Sequence, residues 1–215
     1  MLKKLQALKA KKGFTLVELI VVIAIIGVLA AILVPTMLGY VTSSRVTSAN
    51  STAASIKNNI GTFLTNADTA GYGMKQANDN IATLKITIED STWNVTKEGG
   101  EFKTAGSLEW TNDGSGAAND PKTDAQSAED LLAIELANLF PDVDNAYIQA
   151  TLKAGACTAV AFTADDTAFG EGDCPEVDDN GEFPDAFEWD SKTAGVGKTG
   201  IIVGTAPAVP LGSTT

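Results

Sequence analysis

Histidine is absent from all 215 residues and cysteine occurs only twice. Without imidazole, nucleophile pairs of the Ser-His or Cys-His kind and zinc sites built on histidine are unavailable. Carboxylates are plentiful, 27 Asp and Glu, yet no pair is marked by context as an acid and its base. The chain therefore reads as a protein without catalytic activity. Gly195-Val196-Gly197-Lys198-Thr199 looks like the end of a phosphate loop, but Lys192 stands where the earlier glycine is required, so the segment is read as a turn. Basic residues are scarce: 15 Lys and Arg leave a net charge of −12. That surface repels nucleic acid and anionic lipid headgroups, and no direct nucleic-acid binding is expected. The charge serves solubility. No internal repeat, LPxTG-like motif or second apolar tail occurs, which excludes sortase-linked polymers.

Charge is also missing from Leu19 through Ser44, a run of 26 residues. About 20 apolar residues suffice to cross a bilayer core. A secretory signal peptide has a shorter apolar region, of about 7 to 15 residues. Lysines at positions 3, 4, 9, 11 and 12 precede the run and would hold the leader on the cytoplasmic side. A plain membrane anchor meets these terms but leaves Glu18 unexplained, since an unpaired charge inside the apolar block costs at least ~2.5 kcal/mol. Cutting between Gly13 and Phe14 would create an ammonium four residues before Glu18. Within one helix the two groups share a face; between chains, the same pair would set one subunit's register against the next.

Lys11-Lys12-Gly13, Phe14-Thr15-Leu16-Val17-Glu18, Gly27 and Pro35 closely resemble the N-terminus of bacterial type IV prepilins and of the related type II secretion pseudopilins. The resemblance covers roughly residues 1 to 65. It implies a membrane peptidase that cuts after Gly13 and methylates Phe14, with Glu18 as the assembly residue. It further implies that the helix between Gly27 and Pro35 partly melts in a filament. Pro35, which has no N–H and clashes with the preceding turn, supplies a local reason.

Beyond Pro35, Val46, Ala49, Ala53, Ile56, Ile60 and Phe63 recur at spacings of 3 and 4 among Ser, Thr and Asn, one apolar stripe on a polar helix. The helix is expected from Phe14 to about Asn66, roughly 80 Å at 1.5 Å per residue. Ala24, Gly27 and Ala31 would permit close helix approach or are ordinary membrane-helix composition. The stripe needs a sheet to cover. Residues 82 to 89 alternate as a strand, Trp93 and Val95 extend the pattern into a second, Lys97-Glu98-Gly99-Gly100 reads as a turn, and Phe102 as the start of the return strand. A surface loop is expected over Thr111 to Thr123, a helix over Asp124 to Phe140, and strands over 146–152, 158–163 and 200–203.

The expected fold is α+β, a long N-terminal hydrophobic helix packed on an antiparallel sheet head, type IV pilin-like. Its parts are a leader (1–13), a membrane or filament-core half-helix (14–41), an amphipathic half-helix (42–66) and a head (67–215) with a C-terminal disulfide loop (157–174). Cys157 and Cys174 would pair in an oxidising exterior, closing a loop for about 3 kcal/mol. Many type IV pilins carry such a loop, and pseudopilins generally lack it. In a reducing compartment the two would be buried thiols. Acids crowd this region, and Glu176, Asp178, Asn180 and Glu188 are candidate calcium ligands, although position twelve is Phe187 and Glu188 comes one place late. A solvated acidic loop is the other reading. Trp110 and Trp189 lie in polar stretches and are either glycan contacts or core. Asn50 and Asn94 occupy N-x-Thr sequons.

Three functions fit. The first is a pilin that polymerises through its N-terminal helix into a type IV pilus for adhesion, surface motility or DNA uptake. Its partners would be further copies of itself, the prepilin peptidase, an inner-membrane assembly platform and an assembly ATPase. It would reside in the inner membrane before assembly and in the extracellular filament afterwards. The alternatives are a type II secretion pseudopilin and a membrane-tethered extracytoplasmic binding protein.

Overall fold

Six stretches of the chain are described by the computed structural model: residues 14–104, 108–110, 116–118, 127–165, 167–189 and 193–212. The chain divides into two units, 1–42 and 43–215, each taken by itself. One helix, α1 (Leu16–Ala70), contributes to both.

In the first unit, Leu, Ile, Val and Ala supply α1 with an almost unbroken apolar surface, and every side chain from Phe14 to Val41 is exposed. By length and composition this helix could cross a membrane, its most apolar window having a mean hydropathy of 3.1. Pro35 lies inside the helix, which stays continuous through it. The neighbouring Thr36 hydroxyl donates to the Leu33 carbonyl at 2.9 Å. Helical backbone thus persists where the sequence predicts a local weakness.

In the second unit, the stripe from Val46 to Phe63 is buried in full, together with Leu64 and Ala67. Ser and Thr are poor helix interior residues when their hydroxyls compete for the backbone. Here the hydroxyls are absorbed within the helix: Thr47, Ser51, Thr52, Ser55, Thr62, Thr65 and Thr69 each donate to the carbonyl four residues back, sharing the acceptor of the helical N–H bond. The helix runs four residues past Asn66 and ends on Gly71, whose φ is +95°. Tyr72 N–H donates to Ala67 O at 3.0 Å and Gly71 N–H to Asp68 O at 3.2 Å, a Schellman stop that only a glycine-tolerant position supports.

The sheet has six antiparallel strands in the order β3-β2-β1-β4-β5-β6, with β1 (Ile81–Glu89), β2 (Thr92–Gly99), β3 (Gly116–Ala118), β4 (Ala146–Lys153), β5 (Ala156–Thr163) and β6 (Gly204–Ala206). Alternation directs Leu84, Ile86, Ile88, Trp93, Val95, Ile148 and Ala150 into one core with the α1 stripe and with Leu132 and Leu136 of α2 (Ala128–Leu139). Each such large apolar side chain contributes roughly 1.5–3 kcal/mol by leaving water. A smaller cluster of Ala161, Trp189, Val203 and Val209 lies across the sheet, since Ala161 alternates with Val160 and Phe162 of the main core.

Several boundaries differ from expectation. The β1–β2 turn is Asp90-Ser91, with φ +48° and +63°, a two-residue reversal without the glycine that usually marks it. Gly99 and Gly100 do not close a hairpin: β2 continues through Gly99, with Lys97 buried on its inner face, and Phe102 forms only an isolated bridge to Met74. The described part of the expected 124–140 helix starts after Ser127, whose hydroxyl caps Asp130 N–H while Asp130 returns the bond. The short strand β3 falls within the expected loop. The last strand is Gly204–Ala206, not 200–203, and pairs with β5 from Val160 to Phe162; its backbone comes so close to α1 that a Cβ on Gly204 would clash with the Ala49 backbone.

Candidate functional site

The first turn of α1 is built by its own side chains. Thr15 N–H donates to Glu18 Oε2 at 2.9 Å and Thr15 Oγ1 donates to the same oxygen at 2.7 Å. Glu18 N–H donates back to Thr15 Oγ1 at 3.2 Å. This reciprocal arrangement is a capping box, spelled by Thr15-Leu16-Val17-Glu18. It places a carboxylate where the helix dipole is positive. Glu18, for which the apolar context predicts a positive partner, is held within the subunit by these two neutral donors of Thr15, one turn before it. Phe14 is 83% exposed and Glu18 is exposed. Gly13 lies outside the described residues.

Around this terminus none of the described residues covers the helix. An apolar surface running from Phe14 to Val41 far exceeds the few hundred Å² that a monomeric soluble protein leaves bare. Lipid or other protein must cover it. A Cβ on Gly27 would meet nothing within 4 Å.

The prokaryotic N-terminal methylation motif matches residues 8–34, which include the Thr15–Glu18 turn and much of this apolar surface. Fimbrial protein Q of Moraxella bovis is 39% identical over 111 residues, which make up 48% of this chain and 70% of that protein. The chain belongs to the type IV pilin family. A fimbrial protein of Pseudomonas aeruginosa is 50% identical over 50 residues, 23% of this chain and 32% of the relative. Type IV major fimbrial protein FimA of Dichelobacter nodosus is 41% identical over 61 residues, 28% of this chain and 39% of the relative. In these two cases the match spans well under half of the relative's length. No solved structure matches significantly.

In this pilin the two cysteines are free thiols, so the structure does not show the disulfide expected between them. Cys157 packs in the main core, on the sheet face shared with Val160 and Phe162. Cys174 packs across the sheet with the cluster around Ala161. Burial first of all, only partly offset at Cys157 by Lys57 and reinforced at Cys174 by the charge of Asp173, pushes both thiols up to about 12. Both are protonated and poorly nucleophilic at neutral pH.

The acidic loop is held by protein groups. Asp178 Oδ1 accepts from Asn180 N–H at 2.8 Å and Glu182 N–H at 3.0 Å, and Asp178 Oδ2 accepts from the Asn180 amide at 3.2 Å. Asn180 Oδ1 in turn accepts from the Lys153 ammonium at 3.2 Å. Of the candidate calcium ligands, Asp178 and Asn180 are thus brought together, and among the described residues no three of His, Cys, Asp and Glu form a group that could hold a metal.

Trp110 and Trp189 are core residues. Trp110 Nε1 donates to Tyr72 O at 3.0 Å and Trp189 Nε1 to Val209 O at 3.3 Å. Asp173, which no sequence pattern marks, is the hub of the C-terminal loops. It is 2% exposed and accepts from Gly170 N–H, Thr199 N–H and Thr199 Oγ1 at 2.8–3.0 Å. The segment from Gly195 to Thr199 is indeed a turn, with a bridge between Val196 and Ile202.

Proposed function

We propose that this pilin is cut after Gly13, methylated on Phe14, held in the inner membrane by α1, and then stacked through the apolar half of α1 into an extracellular type IV pilus. The observation that carries this reading is the bare apolar surface from Phe14 to Val41 with one carboxylate, Glu18, at its mouth. Covering that surface supplies the driving force for polymerisation. On assembly, the ammonium of Phe14 on a neighbouring copy displaces Thr15 from Glu18 and replaces two hydrogen bonds from neutral donors by an ion pair with a cationic one. The prepilin peptidase, a membrane platform and an assembly ATPase would supply processing and work. The relatives' naming as fimbrial proteins supports a pilus over a secretion pseudopilus. Adhesion, surface motility and DNA uptake are the activities such a filament would serve.

Glu18→Ala tests the reading. The subunit should accumulate in the membrane with its head folded, while filaments sheared from the cell surface disappear. Undiminished filaments from Glu18→Ala cells would contradict it.

A further inference from the structure

Arg45 is the sole arginine of the chain and the first charge after the uncharged run that ends at Ser44. It is exposed, and no described carboxylate forms an ion pair with it. Tyr40, the only aromatic residue between Phe14 and Arg45, precedes it by five positions and is exposed. A Tyr followed by an Arg at the end of a membrane-length apolar run marks the headgroup level. Within the second unit, Arg45 borders a cleft of about 510 Å³ whose apolar lining is Ala49, Phe162, Ile201 and Ile202. That volume lies in the range of small-molecule sites, roughly 300–1,000 Å³. The cleft's acid is Asp165, whose Oδ1 accepts from Thr167 N–H at 3.1 Å and from the Thr167 hydroxyl. One cation and one anion thus stand at the same apolar slot.

We propose that this cleft binds a zwitterionic phospholipid of the phosphatidylethanolamine type while the subunit resides in the membrane. The Arg45 guanidinium would take the phosphate, for which its planar fork is suited. The lipid ammonium would lie toward Asp165, and an acyl chain along Phe162, Ile201 and Ile202. The charge pattern selects the headgroup: an anionic lipid would satisfy Arg45 but meet Asp165 and a domain rich in acids. The inference rests on the membrane-held stage of the proposed function.

The test uses the full chain in phosphatidylcholine nanodiscs doped with phosphatidylethanolamine or phosphatidylglycerol carrying a photoactivatable acyl chain. Insertion is checked first, by co-elution with the discs, so that failure of the membrane reading is seen separately. Peptides containing Phe162 or Ile201-Ile202 should be labelled about two- to five-fold more by phosphatidylethanolamine, the scale of one exposed ion pair. Arg45→Gln should lower the labelling about two- to five-fold, and Asp165→Asn should erase the preference between the two lipids. Ser48→Trp, which fills the cleft from an exposed position and leaves Arg45 in place, should remove the labelling, with an unchanged thermal melt showing that the head is folded. Equal labelling by both lipids, or labelling indifferent to Arg45→Gln in inserted protein, would overturn the proposal. So would chain-to-chain adducts in place of lipid adducts from a benzophenone side chain at Ser48, which would give the cleft to a second copy.

Discussion

The two halves of α1 obey the same helical geometry and opposite burial rules. From Leu19 to Val41 the side chains are apolar on nearly all sides and none is covered by a described residue; from Val46 to Ala67 an apolar stripe is fully covered and the other faces are mainly Ser, Thr and Asn. The comparison separates two roles of apolar surface. The second half closes the head's own core, so its residues act on folding. The first half packs on none of the described residues, so its residues act on what the subunit joins.

The largest effect that would sharpen this contrast is expected at Glu18, where loss of the carboxylate should abolish surface filaments without moving the thermal melt of the head. The converse change is Phe63→Ala, which should cost about 3–5 kcal/mol of head stability, read from denaturant unfolding of the full chain in detergent. A cost below about 1 kcal/mol would mean that the stripe is not the core. Asp173→Asn should cost roughly 2–3 kcal/mol by weakening three hydrogen bonds to a buried carboxylate, visible as faster proteolysis of residues 193–212. Gly204→Ala should cost about 1–3 kcal/mol, because its Cβ would meet α1 backbone that cannot yield; wild-type stability would show that β6 does not sit on Ala49.

The smallest effect concerns pH. The Asp178 carboxyl is held below the usual aspartate range chiefly by Glu182 N–H, with Asn180 and Lys153 adding to it. A depressed acid stabilises the fold above its unfolded pKa, about 3.9, and that contribution fades as pH falls through the lower folded value. An NMR titration of the Asp178 carboxyl should give a midpoint below 3.9, and a normal midpoint would show that the loop bonds do not persist in solution.

What the sequence made legible was periodic. The α1 stripe and β1 each repeat at the period of their element, and burial follows that repeat residue by residue, whereas β4 and β5 are buried on both faces. The turns were less legible, because Asp90-Ser91 reverses the chain without glycine while Gly99-Gly100, which looks like a hairpin reversal, marks only the end of β2. Gly71 was readable as a helix stop, and Thr15-Leu16-Val17-Glu18 as a capping box, from short motifs alone. Asp173 was not, since its three donors come from Gly170 and Thr199. Nor could spacing reveal that β5 places Cys157 on one side of the sheet while Cys174 packs on the other.

The central claim is that the first half of α1 is a processed assembly surface. Intact mass and N-terminal sequence of the protein in filaments sheared from cells test it most directly. A chain beginning at methylated Phe14 is the predicted result, and a chain that retains Met1 and occurs only in membranes would contradict it.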